Sequence, residues 1–514
     1  MSRLSRSNLY DILSLGMLLF ITIISIARFN YLPQFVDGYY HLSCANGYIK
    51  SGGWVGIDWW NFAPLGRPHL YPPFYHLIIV FLKTIGLNGL DALRLTEVLI
   101  SPLFFFILWF VFRREASSIF SFFLLFISSG FFSFYSSVSG NFPASFAIIC
   151  GVLSWFFLKS KRVISAILLL TLSLYTHAGI PYIFITSFLI LAIFHKGWRL
   201  ASLKIVFASF VLSSPLIFHQ LKYVHYLNFP ILREAKFTHF NIFVLAFGFT
   251  SLLFNFRKKD FLHLLFSGYL VGSIIVFLRY PYRLFSAQGI LGLVFYASLL
   301  LEDIFKNLAL KKIKVIFLLL VTYLLFFHST LDLEEGRFNF HFLNSTFYNI
   351  GSGKFLETLE FTSLFYPQRY LPILKIVNEH TRPDDIITSN LRVSSQIFSA
   401  LSDRPSSHSM LGEVRQFRDV SPYSFAKIII WIKPVFPYLE SLRNRFNLIN
   451  IYESDIALIF LNPLYSITFV PIKSKLNFVF ITILSLFFLF IFVVDNAKIL
   501  WCISKMYLRR KDNE

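Results

Sequence analysis

Apolar runs separated by short polar turns set the plan of this chain. Twelve of them, at 11–28, 95–112, 117–135, 142–158, 163–178, 180–195, 201–218, 240–256, 261–278, 284–301, 313–330 and 476–495, approach the ~20 residues that a helix needs to cross a bilayer. A further run, "YPPFYHLIIVFLKTIG" (71–86), is shorter, opens with two prolines in its first three residues, and holds His76 and Lys83. Two long stretches break the rhythm: 29–94, after the first run, and 331–474, before the last. The second carries charges throughout. Within it "DDIITSN" and "IYESDIALIFLNP" predict strands ending in turns, and hence a small α/β domain.

Composition agrees with this plan. Of 514 residues, 56% are hydrophobic, 19% aromatic and only 14% charged, and the mean hydropathy is +0.64. A soluble domain averages about 25% charged residues, so this chain has too little polar surface to coat a water-soluble globule of its size. The formal charge of +20 does not point to nucleic acid, because Lys and Arg fall in short clusters between apolar runs. The first run follows Arg3 and Arg6 as a signal peptide does, but no small-residue cleavage site follows it, which predicts a retained anchor. Cys44, Cys150 and Cys502 lie in a loop, an apolar run and a tail. They suggest no disulfide framework, and no CxxC or His/Cys cluster has metal-site spacing.

Charge decides the topology. If 71–86 does not span and the N-terminus is cytoplasmic, the basic clusters at 113–114, 159–162, 195–199, 257–259, 306–314 and 509–511 all fall inside. The turns "SSVSGN" (136–141) and "THAGI" (176–180), which carry no Lys or Arg, then fall outside. A spanning 71–86 would move three of the basic clusters outside, so this run is expected to lie along the outer interface. The expected fold is an α-helical polytopic membrane protein of about 12 transmembrane helices with a small extracytoplasmic α/β C-terminal domain. Residues 1–330 form the transmembrane domain with a long first external loop, 29–94. Residues 331–474 form the extracytoplasmic domain, and 475–514 a final transmembrane helix and basic cytoplasmic tail.

The first loop concentrates polar and aromatic chemistry: "DGYYHL" (37–42), "SGGW" (51–54), "IDWWNFAPLGRPHLYPPFYH" (57–76) and "LDALR" (90–94). An interfacial aromatic belt accounts for many of the rings. It does not account for Asp37, His41, Asp58 and Arg67 in one loop. Beside a bilayer, carboxylates among aromatics can hold a lipid-linked polar substrate, the rings stacking on sugars or facing acyl chains and the carboxylate serving a hydroxyl or amine. Asp37 equally suits the start of a short helix over "GYYHLSCANGYIK", where capping is common. His41 lies one helical turn on and can share its face. Tyr40, Asp58, Trp59, Tyr71, His76 and His177 are further candidates for substrate contact, with a turn aspartate and interfacial histidines as the plainer alternatives.

The pattern D-x-x-Y-H at Asp37–His41, followed by "PLGRP", "YPP" and "LDALRLTEVLISPLFFFILWFVF", resembles the first-loop signature and layout of GT-C membrane glycosyltransferases. Within that superfamily the chain is similar to the oligosaccharyltransferase catalytic subunit, to protein O-mannosyltransferases and to the aminoarabinose transferase of lipid A. "LSDRPSSHSM" (401–410) resembles a segment of the C-terminal domain. The resemblance implies inverting transfer of a sugar from a polyprenyl-phosphate donor on the extracytoplasmic side of the cell membrane, with both termini cytoplasmic. It places Asp37 as general base or acceptor-orienting carboxylate; His41, one helical turn away, is a candidate to steady Asp37, bind phosphate or ligate a metal, with a merely hydrogen-bonded interfacial histidine as the alternative.

The donor phosphate needs cations, and "LRYPYRLF" (278–285) supplies Arg283 and Arg279 in an outer turn that otherwise has no use for charge. Arg67 is a third candidate, and snorkelling at span ends is the alternative for the pair. The chain departs from oligosaccharyltransferases in two respects. The second outer loop has no acids, so a divalent metal finds no support, and the acceptor-reading WWDYG-type motif is missing. The expected partners are a polyprenyl-phosphate-linked sugar donor, a lipid, glycan or protein acceptor, and membrane lipids, with no nucleic acid. Two rival functions remain open, a lipid or glycan transporter or flippase and a non-catalytic envelope-assembly scaffold. No half-to-half repeat of the kind carriers show is visible.

Overall fold

A computed structural model of the protein describes residues 9–30, 36–227, 238–255, 257–278, 280–326, 330–334, 337–341, 367–410, 414, 421–433, 438–467 and 470–511. Each of the twelve apolar runs is helical over most of its length among these residues. Five helices are long and apolar enough to cross a membrane, or seven if each of two bent pairs is one span. Leu484, Leu486, Phe487, Leu489 and Phe490 of the Phe478–Lys511 helix are exposed. Apolar side chains turned outward on several such helices define a polytopic membrane protein, whose solvent at that surface is lipid.

Two runs end earlier than hydropathy predicts. The helix Ser118–Gly130 stops inside the run 117–135, and the turn expected at 136–141 is mostly the end of a second helix, Phe132–Gly140. Before the break, Ser128 and Ser129 donate their hydroxyls back to the carbonyls of Leu124 and Leu125, and a glycine follows. Both features weaken a helix. The run 201–218 is likewise split, into Arg199–Leu212 and Ser214–Lys222, which meet at 62° where Pro215 removes a backbone donor. The run 71–86 forms the helix Phe74–Thr84. At 1.5 Å per residue it measures about 16 Å, roughly half the hydrocarbon thickness.

One packing contact brings two distant turns together. The helices Ile180–Phe194 and Phe261–Phe277 pack closely, with Gly268 against Ser187 and Gly272 against Ile183. A Cβ at Gly272 would lie 2.8 Å from the Ile183 Cα, and one at Gly268 2.5 Å from the Ser187 Cα. Glycines four apart on one face let backbones approach this far, as small residues do in membrane helices. The contacts step up one helix and down the other, so the pair is antiparallel. The turn before Ile180, holding His177, therefore sits at the same end as the turn after Phe277, holding Arg283.

The C-terminal region contains a four-stranded sheet in the order Ile387–Ser389, Ile428–Ile432, Ala457–Leu461, Ile449–Glu453, with the first pair parallel and the others antiparallel. Every residue of Ile428–Ile432 is buried. Ile428, Ile430 and Ile432 face Ile373, Val377 and Phe398, while Ile429 and Trp431 face Leu439, Phe446 and Leu448. An unbroken apolar strand covered on both faces marks the centre of a layered α/β unit. This unit is clamped to the first loop. Ser406 N donates to Trp60 O and Ala63 N donates to Ser406 O, both at 2.8 Å, and Gly53–Trp54 pairs with Leu476–Asn477. Arg279, one of the two candidate phosphate-binding arginines, lies outside the described residues.

Candidate active site

The first loop folds around the helix Val36–Ser51. Asp37 stands in its first turn, where the helix dipole favours negative charge, and His41 follows one turn later on the same side. Asp37 is partly buried. Loss of solvent pushes its carboxyl above the ordinary aspartate range, and the positive charge of Arg283 pulls it partly back. That field also acts on His177, whose imidazole is pushed down to about 3, first by burial and then by Arg283. The two turns joined by the glycine contact and the first-loop aspartate thus share one electrostatic environment.

Aromatic and imidazole rings line the space between them. His41 Nδ1 lies 2.8 Å from His76 Nε2, so one ring donates to the other. The ring centroid of Tyr71 stands 4.9 Å from that of His41, 5.8 Å from His76, 6.1 Å from Tyr40 and 6.3 Å from His177. Tyr75 closes over His41 at 4.8 Å and donates or accepts through its hydroxyl with Thr96 at 2.7 Å. Burial, with the nearby His177 and His69, holds His41 down at about 3. These histidines are therefore neutral at ordinary pH. Beside His177 opens a small cavity lined by Leu174, Tyr182, Leu216, Ile217 and Gln220.

Seven candidates from the sequence accordingly meet: Asp37, Tyr40, His41, Tyr71, His76, His177 and Arg283. Three others have different company. Arg67 is buried and donates to the carbonyls of Val414 at 3.2 Å and Met410 at 3.3 Å. Asp58 faces Arg67 across the two-stranded ribbon Ile57–Asp58 and Arg67–Pro68, and accepts from Asn61 N and Nδ2 at 3.1 Å. Trp59 is buried and donates from Nε1 to Ser51 Oγ at 2.9 Å. Asn61 continues this polar seam, its Oδ1 accepting from Ser43 Oγ and Gln396 Nε2. These groups join the loop to the C-terminal unit and do not line the pocket around His41.

Some residues escaped the sequence reading. Cys44 Sγ and one ring nitrogen each of His69 and His76 lie within 4.8 Å of one another, all three residues buried. This is the one such group of three His, Cys, Asp or Glu side chains among the described residues. Spacing along the chain concealed it, since the members are 25 and 7 residues apart, although Cys44 at i+3 from His41 shares its helix face.

No family model matches the sequence, and no curated protein matches it. Among solved structures the chain shares its overall fold with two membrane proteins. ArnT from Cupriavidus metallidurans, in the apo state and bound to undecaprenyl phosphate, superposes with a TM-score of 0.54 at 12% identity, over 89% of this chain and 99% of that one. The archaeal oligosaccharyltransferase AglB from Archaeoglobus fulgidus, in complex with an inhibitory peptide and a dolichol-phosphate, gives 0.55 at 11% identity, over 83% and 70%.

Proposed function

We propose that this protein is an inverting membrane glycosyltransferase that moves a sugar from a polyprenyl-phosphate donor to an acceptor on the extracytoplasmic side. The observation that carries the proposal is the placement of Asp37 within the field of Arg283, at the pocket lined by His41, Tyr71 and His177. Asp37 takes the proton from the acceptor hydroxyl or amine as its heteroatom attacks the anomeric carbon. The bond from that carbon to the phosphate oxygen breaks, and the electron pair leaves with the polyprenyl phosphate. Arg283, with its planar fork, holds the growing negative charge. Arg279 is assigned to the same phosphate as a second cation. Tyr40, Tyr71 and His177 shape the sugar site, and His41 orients Asp37 or the acceptor.

The undecaprenyl phosphate and dolichol-phosphate bound by the two neighbours support a polyprenyl donor. The glycosyl acceptor is a lipid, glycan or protein group. The positive-inside distribution of the basic clusters supports an extracytoplasmic site. Proteoliposomes given labelled polyprenyl-phosphate sugars test the reading. Transfer is expected with the wild-type protein, and Asp37→Asn is expected to lower it by about 10²–10⁴-fold, the scale of a lost general base. Undiminished transfer by Asp37→Asn sinks the mechanism. Movement of intact donor across the bilayer without transfer identifies a flippase instead.

A further inference from the structure

Cys44, His69 and His76 form a buried group next to the pocket, and the reaction proposed above leaves Cys44 and His69 unused. Two of its atoms stand out. His69 Nε2 and His76 Nδ1 are buried polar atoms with no hydrogen-bond partner, on residues that are 2% and 0% exposed. Buried polar groups are nearly always paired, because an unpaired one keeps its full desolvation cost. Something is expected to fill the space between them.

The chemistry of the surroundings selects what. The three donor atoms lie within 4.8 Å of one another. Ligands about 2.0–2.3 Å from a tetrahedral zinc ion stand about 3.3–3.8 Å apart, so closing on an ion asks for shifts of about 1 Å or less. Two imidazoles and a thiol suit zinc or a similar borderline cation, and not magnesium or calcium. Cys44 is already provided with donors toward sulfur: Asn61 Nδ2 at 3.4 Å and the Tyr40 hydroxyl. Donors of this kind stabilise a thiolate. Burial first and Asp58 second push the Cys44 thiol up, with the Tyr40 and Asn61 donors and Arg67 opposing them.

We infer that Cys44, His69 and His76 bind a single zinc ion, with His76 coupling that ion to His41. A metal on His76 Nδ1 leaves the proton on Nε2, which then donates across the 2.8 Å contact to His41 Nδ1. His41 is thereby fixed with its own proton on Nε2. The ion lies behind the reacting groups and acts as a positioning centre through the tautomer it imposes. Cys44 loses its proton to solvent on binding, and the fourth position is left for water.

The test uses the full-length protein in detergent, stripped of metal and reloaded with zinc alone or cobalt alone. Wild-type protein is expected to retain about one zinc per chain after dialysis, and the cobalt form to show a near-ultraviolet thiolate-to-cobalt band. Cys44→Ser should abolish the band. His69→Gln and His76→Gln should each lower zinc retention at least tenfold, whereas His41→Gln should keep it. X-ray absorption at the zinc edge of the unmodified protein provides the reading that needs no variant, with one sulfur and two imidazole nitrogens expected. Absence of retained metal in wild type, an edge spectrum with only light-atom ligands of solvent type, or a band that survives Cys44→Ser overturns the inference. Loss of zinc from His41→Gln overturns the relay. These readouts do not depend on sugar transfer, so a metal-loaded but inactive protein would refute the proposed reaction alone.

Discussion

His41 and His76, thirty-five residues apart, meet through Nδ1 and Nε2 at 2.8 Å, and this contact joins the first-loop helix to the short Phe74–Thr84 helix beneath the pocket. Both rings are buried. A hydrogen bond between two neutral imidazoles fixes which nitrogen of each carries the proton, and so fixes what each ring offers elsewhere. Double-mutant analysis measures its worth. His41→Ala and His76→Ala are expected to be non-additive in transfer rate, with a coupling of about 0.5–3 kcal/mol, as for residues in one hydrogen-bond network. Full additivity would show that the two rings act separately.

The pH dependence of transfer follows from Asp37. A base works only when ionised, and burial raises this carboxyl above its ordinary value while Arg283 opposes the rise. Activity should therefore fall on an acid limb lying above the ordinary aspartate range. Arg283→Gln removes the opposing charge, so the limb is expected to move to higher pH. Arg283→Lys keeps the charge but loses the planar fork, and should leave the limb in place while raising the donor KM. A limb that stays put in Arg283→Gln would separate the two residues functionally.

Acid should also unfold the protein early. His41, His69 and His177 are each held near 3 by burial, whereas an unfolded histidine titrates at about 6.5. Between those values the unfolded chain binds protons that the native one refuses, so stability is complete above about 6.5 and declines as pH falls toward 3. Thermal unfolding in detergent should show a lower Tm at pH 5 than at pH 7. His69→Gln or His177→Gln should flatten that slope.

Gly272 tests the packing that aligns the site. Gly272→Leu forces a side chain against the Ile183 backbone, and overpacking of this kind costs about 1–3 kcal/mol. Because the same contact sets His177 level with Arg283, transfer should fall more than stability does. Denaturation midpoints compared with kcat across Ala, Val and Leu at this position will show whether the two losses diverge.

Arg67 is expected to behave as a strut. Its guanidinium donates to the Val414 and Met410 carbonyls, and its charge opposes the rise that burial imposes on the Asp58 carboxyl. Arg67→Ala leaves these two carbonyls without their donor, a change worth about 1–3 kcal/mol for each unsatisfied buried group. The measured signature should be a lowered Tm with the donor KM of the surviving folded fraction unchanged. A raised KM at normal stability would return Arg67 to the phosphate.

Composition and hydropathy were enough to determine that this is a polytopic helical membrane protein, since 14% charged residues cannot solvate a chain of this size and apolar runs of spanning length must become helices in lipid. Asp37 and Arg283 stood out as candidates, being charges placed where a bilayer-facing segment has no ordinary use for them. Tertiary structure alone decided which polar groups keep company. Arg67 and Asp58 turn from the pocket into the seam with the C-terminal unit, because two carbonyls and an amide satisfy them there. Cys44, His69 and His76 gather although no spacing announces them. Hydropathy is a local property written along the chain, whereas a site is made by side chains from separate turns, and only the packing of helices such as 180–194 and 261–277 determines which turns share an end.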